Sequence, residues 1–129
     1  MSATMMKSPG PDHPITIAPA PGRVRVLFAG RVIADTVRAK SLCEAKLPEV
    51  LYIPQDDVDW RAMQPTDHRS HCPYKGRASY FSIHVSGRVS ENAAWSYETP
   101  YPAMAEIAGD LAFYPDRVDA IEVEKPSGK

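Results

Sequence analysis

The sequence predicts a mainly β, β-rich α+β fold with one or two short helices, and three observations carry that prediction. Proline is abundant, 13 of 129 residues, against a usual share of roughly 5%. Prolines spread along the chain exclude long helices and central strands, so elements are short and turns are many. The segments Arg23–Phe28 and Arg77–Val85 alternate polar and apolar residues with the period of two that a half-buried strand needs. Helix signals occur at only two places, after Asp56 or Asp57 and at Pro102.

Taken in order, residues 1–12 read as a disordered tail, rich in Met, Ser, Pro and Gly and without periodicity. Residues 13–124 read as one domain, and 125–129 as a polar tail. Ile15-Thr16-Ile17 is a short strand, followed by a turn at Pro19-Ala20-Pro21-Gly22. Arg23–Phe28 and Val32–Thr36 form a hairpin through Ala29-Gly30-Arg31. Arg38–Lys46 is compatible with strand or helix, and the alternation of Ala39, Ser41 and Cys43 with larger residues favours a strand. Leu51-Tyr52-Ile53 is extended and stops at Pro54. Val58–Met63 reads as a short helix capped by Asp56 or Asp57 and stopped before Pro65. Thr66–Cys72 is loop or strand. Arg77–Val85 and Ala93–Glu98 are strands, Pro102–Ala108 a short helix, and Leu111–Tyr114 and Val118–Val123 the closing strands.

Composition excludes several function classes. The formal net charge is −1, so the basic footprint of a nucleic-acid binder is missing. No apolar run approaches the roughly 20 residues that span a bilayer. Residues 1–13 contain no apolar signal core, which makes cytoplasm the expected location. Cys43 and Cys72 are the only cysteines and belong to no C-x-x-C pair, so a structural Cys₄ zinc site is excluded. His68 and His71 are the one close histidine pair, a weak metal signal in a loop. No metal and no cofactor is expected.

The densest chemistry lies in His71-Cys72-Pro73-Tyr74-Lys75-Gly76-Arg77. A thiol beside an imidazole and an amine suits a nucleophile, with His71 as base and Lys75 lowering the thiol pKa. The competing reading of Cys72 is a buried structural cysteine. Lys75, Arg77 and Arg31 suit a carboxylate or phosphate, against solvated strand-end charges. Tyr52, Tyr74, Tyr80, Trp95 and Tyr97 divide between pocket walls and core. Asp35 is a further acid. Glu44 and Glu98 sit in apolar runs and need partners, for which Arg25 and Arg38 are candidates. The site expected from sequence is therefore an aromatic and basic pocket of Arg31, Tyr52, Lys75, Arg77, Tyr80, Trp95 and Tyr97. Its ligand is a small, anionic or carbonyl-bearing molecule. The alternatives are a cysteine-dependent enzyme using Cys72, His71 and Lys75, and a protein-interaction module, with a homodimer as a further expected partner state.

Several strings occur together: Arg23-Val24-Arg25-Val26, Tyr52-Ile53-Pro54, Cys72-Pro73-Tyr74-Lys75-Gly76, Trp95-Ser96-Tyr97-Glu98 and Ala112-Phe113-Tyr114-Pro115. They resemble the domain of unknown function 427 family of bacterial and fungal proteins, from about His13 to Glu124. The resemblance implies a β-tent, or Mss4-like, fold of two antiparallel sheets splayed at one end. Relatives of that architecture often hold zinc through two C-x-x-C pairs, which this chain lacks, so a metal-free tent is implied. The fold is also similar to that of methionine sulfoxide reductase B, whose cysteine framework is not present here. The family sometimes carries a nucleotidyltransferase label. The chain has neither a Gly-Ser motif followed by paired aspartates nor a phosphate-cradling G-x-x-x-x-G-K-[ST] loop.

Overall fold

The computed structural model describes residues 6–124. The expected polar tail and residues 1–5 of the expected N-terminal tail lie outside that range. Ten strands follow in chain order: β1 (Ile15–Pro19), β2 (Arg23–Phe28), β3 (Arg31–Thr36), β4 (Lys40–Glu44), β5 (Val50–Tyr52), β6 (Met63–Cys72), β7 (Gly76–Val85), β8 (Arg88–Ser96), β9 (Leu111–Phe113) and β10 (Ala120–Glu124). They build three antiparallel sheets, ordered β1-β4-β5, β10-β2-β3 and β6-β7-β8-β9.

Two sheets are expected and three ladders are found. A narrow seam joins two of them. Ile53 and Leu111 exchange backbone hydrogen bonds of 2.7 and 2.8 Å, linking the end of β5 to the start of β9. Pro54 follows immediately and cannot extend the pairing. Two hairpins depend on residues with positive φ. Ala29 and Gly30 connect β2 to β3 at φ 52° and 77°, and Ser86 and Gly87 connect β7 to β8 at 51° and 79°. Two-residue loops need this twist to match paired strands.

The described residues form four 3-10 turns: Gln55–Asp57, Trp60–Ala62, Pro102–Ile107 and Pro115–Arg117. The helix expected at Val58–Met63 is reduced to the 3-10 turn Trp60–Ala62, for a local reason. Val58 is extended and bridges to Ala34, and the Asp59 N–H donates to the Ile33 carbonyl at 2.8 Å. The Asp57 carboxylate is taken by the Thr36 hydroxyl at 2.7 Å, and Asp59 instead accepts from the Arg61 N–H. Among the described residues no helix is long and apolar enough to cross a membrane. Lys7, within the expected tail, donates its backbone N–H to Pro73 at 2.8 Å.

Strand β7 organises the interior because its two faces serve different cores. Phe81, Ile83 and Val85 pack with Val24, Val26, Phe28 and Ile33 of the β2 sheet. Ala78 and Tyr80 pack with Leu42 of β4, Tyr52 of β5 and Tyr97. The alternation read from sequence is thus satisfied on both sides of one strand. Ile83 is fully buried. Ile83→Ala is expected to cost about 3 kcal/mol in urea unfolding. Val89→Ala, at a half-exposed position, is expected to stay within about 0.5 kcal/mol.

Candidate functional site

The Cys72–Gly76 pair closes a three-residue loop, Pro73-Tyr74-Lys75, between β6 and β7. Gly76 takes φ 111°, which a residue with a Cβ strongly disfavours. The Lys75 carbonyl accepts from the Tyr101 N–H at 3.0 Å. With its backbone held, the Lys75 side chain turns inward. It is buried, donates to the Glu44 carboxylate and lies 5.9 Å from the centre of the Tyr97 ring. The second Glu44 oxygen lies 2.7 Å from His13 Nε2, and the His13 ring stacks on Tyr74 at 4.0 Å. Burial raises the Glu44 carboxyl, but the hydrogen bonds and charges of Lys75 and His13 outweigh it, leaving the pKa below the usual carboxylate range.

The partners expected for Glu44 are engaged elsewhere. Arg25 pairs with Glu122 at 3.1 Å and Arg38 with Asp57 at 3.2 Å. Asp35 pairs with Arg23 at 2.6 Å, and Ser79 donates to Glu98 at 3.4 Å. Lys75, read from sequence as an anion-binding cation or a solvated strand-end charge, is the partner of Glu44.

The aromatic residues converge beside this pair. Trp95 and Tyr80 are directly paired across β8 and β7 and share a face. The Trp95 indole N–H donates to the Tyr52 hydroxyl at 3.2 Å. Tyr114 lies 4.5 Å from Trp95, ring centre to ring centre, tilted by 43°. Its hydroxyl is 3.4 Å from that of Tyr80, which is 2.9 Å from Ser70 Oγ. Burial pushes the Tyr52 and Tyr97 phenols well above their ordinary value. Burial and the Tyr80 hydroxyl push Tyr114 up to about 12. All three are neutral at physiological pH, and the Tyr52 and Tyr114 hydroxyls act as hydrogen-bonding groups, not as phenolates.

In front of these rings is a cavity of about 540 Å³ where the three sheets meet. Its walls are Val24 and Val26 of β2, Leu42 and Glu44 of β4, Val50 and Leu51 of β5, Trp95 of β8 and Phe113 of β9. Tyr114 and Pro115 complete one side, and exposed Leu47, Pro48 and Glu49 form the rim. Tyr52 and Tyr80 stand behind the wall and hold Trp95 and Tyr114 in place.

The chain matches the model of a domain of unknown function, DUF427, over residues 16–124. It belongs to that family. No curated protein matches it. The strings that carry the DUF427 resemblance fall on the site: Trp95 and Phe113-Tyr114-Pro115 line the cavity, and the Cys72–Gly76 loop supplies Lys75.

The residues expected from sequence divide in two. Tyr52, Cys72, Lys75, Tyr80, Trp95 and Tyr97 gather in or against the inner core. Arg31, His71 and Arg77 do not. Arg31 pairs with Asp59 at 2.5 Å. His71 and Cys72 are consecutive in β6 and so project to opposite faces. His71 bonds the Tyr101 hydroxyl at 2.8 Å, and with Arg77 it lines a separate shallow groove. The structure does not bring His71 and Cys72 to one face. Sequence reasoning missed Leu47, Glu49, Val50 and Tyr114. The Phe113-Tyr114-Pro115 string held the signal for Tyr114, while the rim residues become visible only once β4 and β5 pair. Among the described residues, no three His, Cys, Asp or Glu side chains group as a metal site.

Removing Lys75 leaves Glu44 buried with only His13. Lys75→Met is expected to lower stability by about 3 kcal/mol at pH 7. Glu44 has a depressed folded-state pKa, so its contribution is complete above the unfolded value of about 4.3 and is lost as pH falls through the folded one. The difference between wild type and Lys75→Met is therefore expected to shrink below about pH 4, as wild-type Glu44 takes up its proton and the pair with Lys75 is lost. Urea unfolding between pH 3 and 7 measures both. Thiol alkylation provides a separate check, since Cys43 is exposed and Cys72 only partly so. Mass spectrometry of iodoacetamide-treated protein is expected to show Cys43 modified first.

Proposed function

We propose that this DUF427 protein binds a small, mainly apolar molecule in the cavity between its three sheets. The observation that carries the reading is the cavity itself. Its volume of about 540 Å³ lies within the range of roughly 300–1,000 Å³ typical of ligand sites, and its walls are mainly apolar with a few oriented polar groups. Trp95 and Tyr114 are held by hydrogen bonds from behind, so the wall is organised before any ligand arrives. The anionic ligand favoured by the sequence loses its basis. Arg31 and Arg77 face elsewhere, and the Lys75 charge is matched by Glu44. A net charge of −1 adds nothing that would draw a nucleic acid.

A neutral fluorescent probe, N-phenyl-1-naphthylamine, tests this directly. Wild-type protein is expected to enhance its emission saturably. Val50→Trp, which fills the cavity from its β5 wall, is expected to weaken binding at least tenfold while the melting temperature stays within a few degrees. Equal binding by both proteins places the probe elsewhere, and no enhancement by wild type refutes the reading.

A further inference from the structure

Strand pairing at the seam between β5 and β9 stops early. Ile53 and Leu111 turn their backbone N–H and C=O groups toward each other and exchange both hydrogen bonds. Backbone groups alternate sides along a paired strand. Tyr52 therefore faces β4, where it is paired with Lys40, and Ala112 faces β8, where it is paired with Trp95. The next groups aimed across the seam belong to Leu51 and Phe113. Continued pairing would join them, but Ile53–Leu111 is an isolated bridge. Among the described residues, neither Leu51 nor Phe113 has a hydrogen-bond partner for these groups. Both residues line the cavity, as Ile53 does, and Phe113 is only 4% exposed. Buried backbone groups in folded proteins are nearly always paired, and an open strand edge is a template for a further amide.

Charge does not select the occupant. Both Glu44 oxygens are taken, by Lys75 and His13. The rim turn carries exposed Lys46 as well as exposed Glu49. We propose, resting on the cavity reading above, that the occupant is a neutral apolar molecule built around a secondary amide. A trans amide points its N–H and its C=O in opposite directions. Set into the open end of the seam, it accepts from the N–H of one edge and donates to the C=O of the other. The pairing of β5 with β9 is thereby continued through the ligand, as an added strand continues a sheet. The arms on either side of the amide are matched by Val24, Val26, Leu42 and Trp95.

N-benzylhexanamide, its ester counterpart benzyl hexanoate and its N-methyl derivative share one apolar body and carry no charge. Displacement of N-phenyl-1-naphthylamine gives the affinity of each. A merely apolar cavity favours the ester, because an amide gives up more hydration on burial. The secondary amide is instead expected to bind at least fivefold more tightly than either of the others. In ¹⁵N-labelled protein the N–H of Leu51 or of Phe113 is expected to exchange with solvent at least tenfold more slowly with the amide bound than with the ester at equal occupancy. Equal affinities, or tighter binding of the ester, overturn the amide pairing while the apolar cavity stands. Equal exchange at both positions overturns it as well, whatever the order of affinities. If none of the three compounds displaces the dye and the dye itself does not bind, the cavity reading fails.

Discussion

Burying a carboxylate costs several kcal/mol unless a cation accompanies it, and the same holds for an ammonium group. Glu44 and Lys75 meet that condition only through each other, with side chains 11% and 10% exposed. They come from different sheets: Glu44 closes β4, and Lys75 sits in the loop that opens β7. Each therefore fixes where the other's strand must lie. A slip of β4 by one residue would turn Cys43 inward and strand Lys75 without a charge. Buried pairs of this kind add little net stability compared with apolar packing. Their effect here is positional, and it extends to a third segment through His13, which bonds Glu44 and stacks on Tyr74.

The cavity exists because two cores meet without merging. Strand β7 sends Phe81 and Ile83 to one core and Ala78 and Tyr80 to the other. The neighbouring strands follow the same rule: Ala94 and Phe113 face the first core, Ala112 and Trp95 the second. The Ile53–Leu111 seam is only one bridge wide, so β5 turns away from β9 instead of covering it. The space left is walled by residues of both cores. Its polar groups are oriented from behind by the hydroxyls of Tyr52 and Tyr80. A hydroxyl both donates and accepts, and Tyr80 uses that to serve Ser70 and Tyr114 together.

Much of the fold was legible because it obeys local rules. Arg23–Phe28 and Arg77–Val85 alternate because each has two differently served faces, and Gly30 and Gly87 mark hairpins that need positive φ. Strand β6 was only half legible: its middle, from Gln64 to His71, is polar and mostly exposed. It is an edge strand, and Pro65 is tolerated there because an edge leaves N–H groups unpaired. The shortening of the helix after Asp57 to one 3-10 turn has the opposite cause: a local capping signal overridden by the tertiary bridge of Val58 to Ala34. The site was legible in its aromatic half, since Trp95, Tyr80 and Tyr52 stand on strands that sequence already placed. Its charged half was not. Glu44 and Lys75 are separated by 31 positions, and nothing local distinguishes Lys75 from Arg77 except the loop that turns one inward.

The rim is continuous in sequence with this ion pair. Ala45 follows Glu44 and adopts φ 47°, a conformation costly for a residue with a Cβ unless its surroundings impose it. Those surroundings are specific: the Ala45 N–H donates to Pro14 at 2.7 Å, and the Leu47 N–H to Glu44 at 2.8 Å. The same short turn carries Leu47, an apolar side chain 58% exposed at the mouth, and Glu49. Backbone that leaves the buried pair thus becomes, within five residues, the edge of the binding space. A molecule that covers Leu47 and binds only the folded state stabilises that state by mass action. Under the proposed function that stabilisation would fall on the turn that Glu44 anchors, linking the fold of this segment to the filling of the cavity.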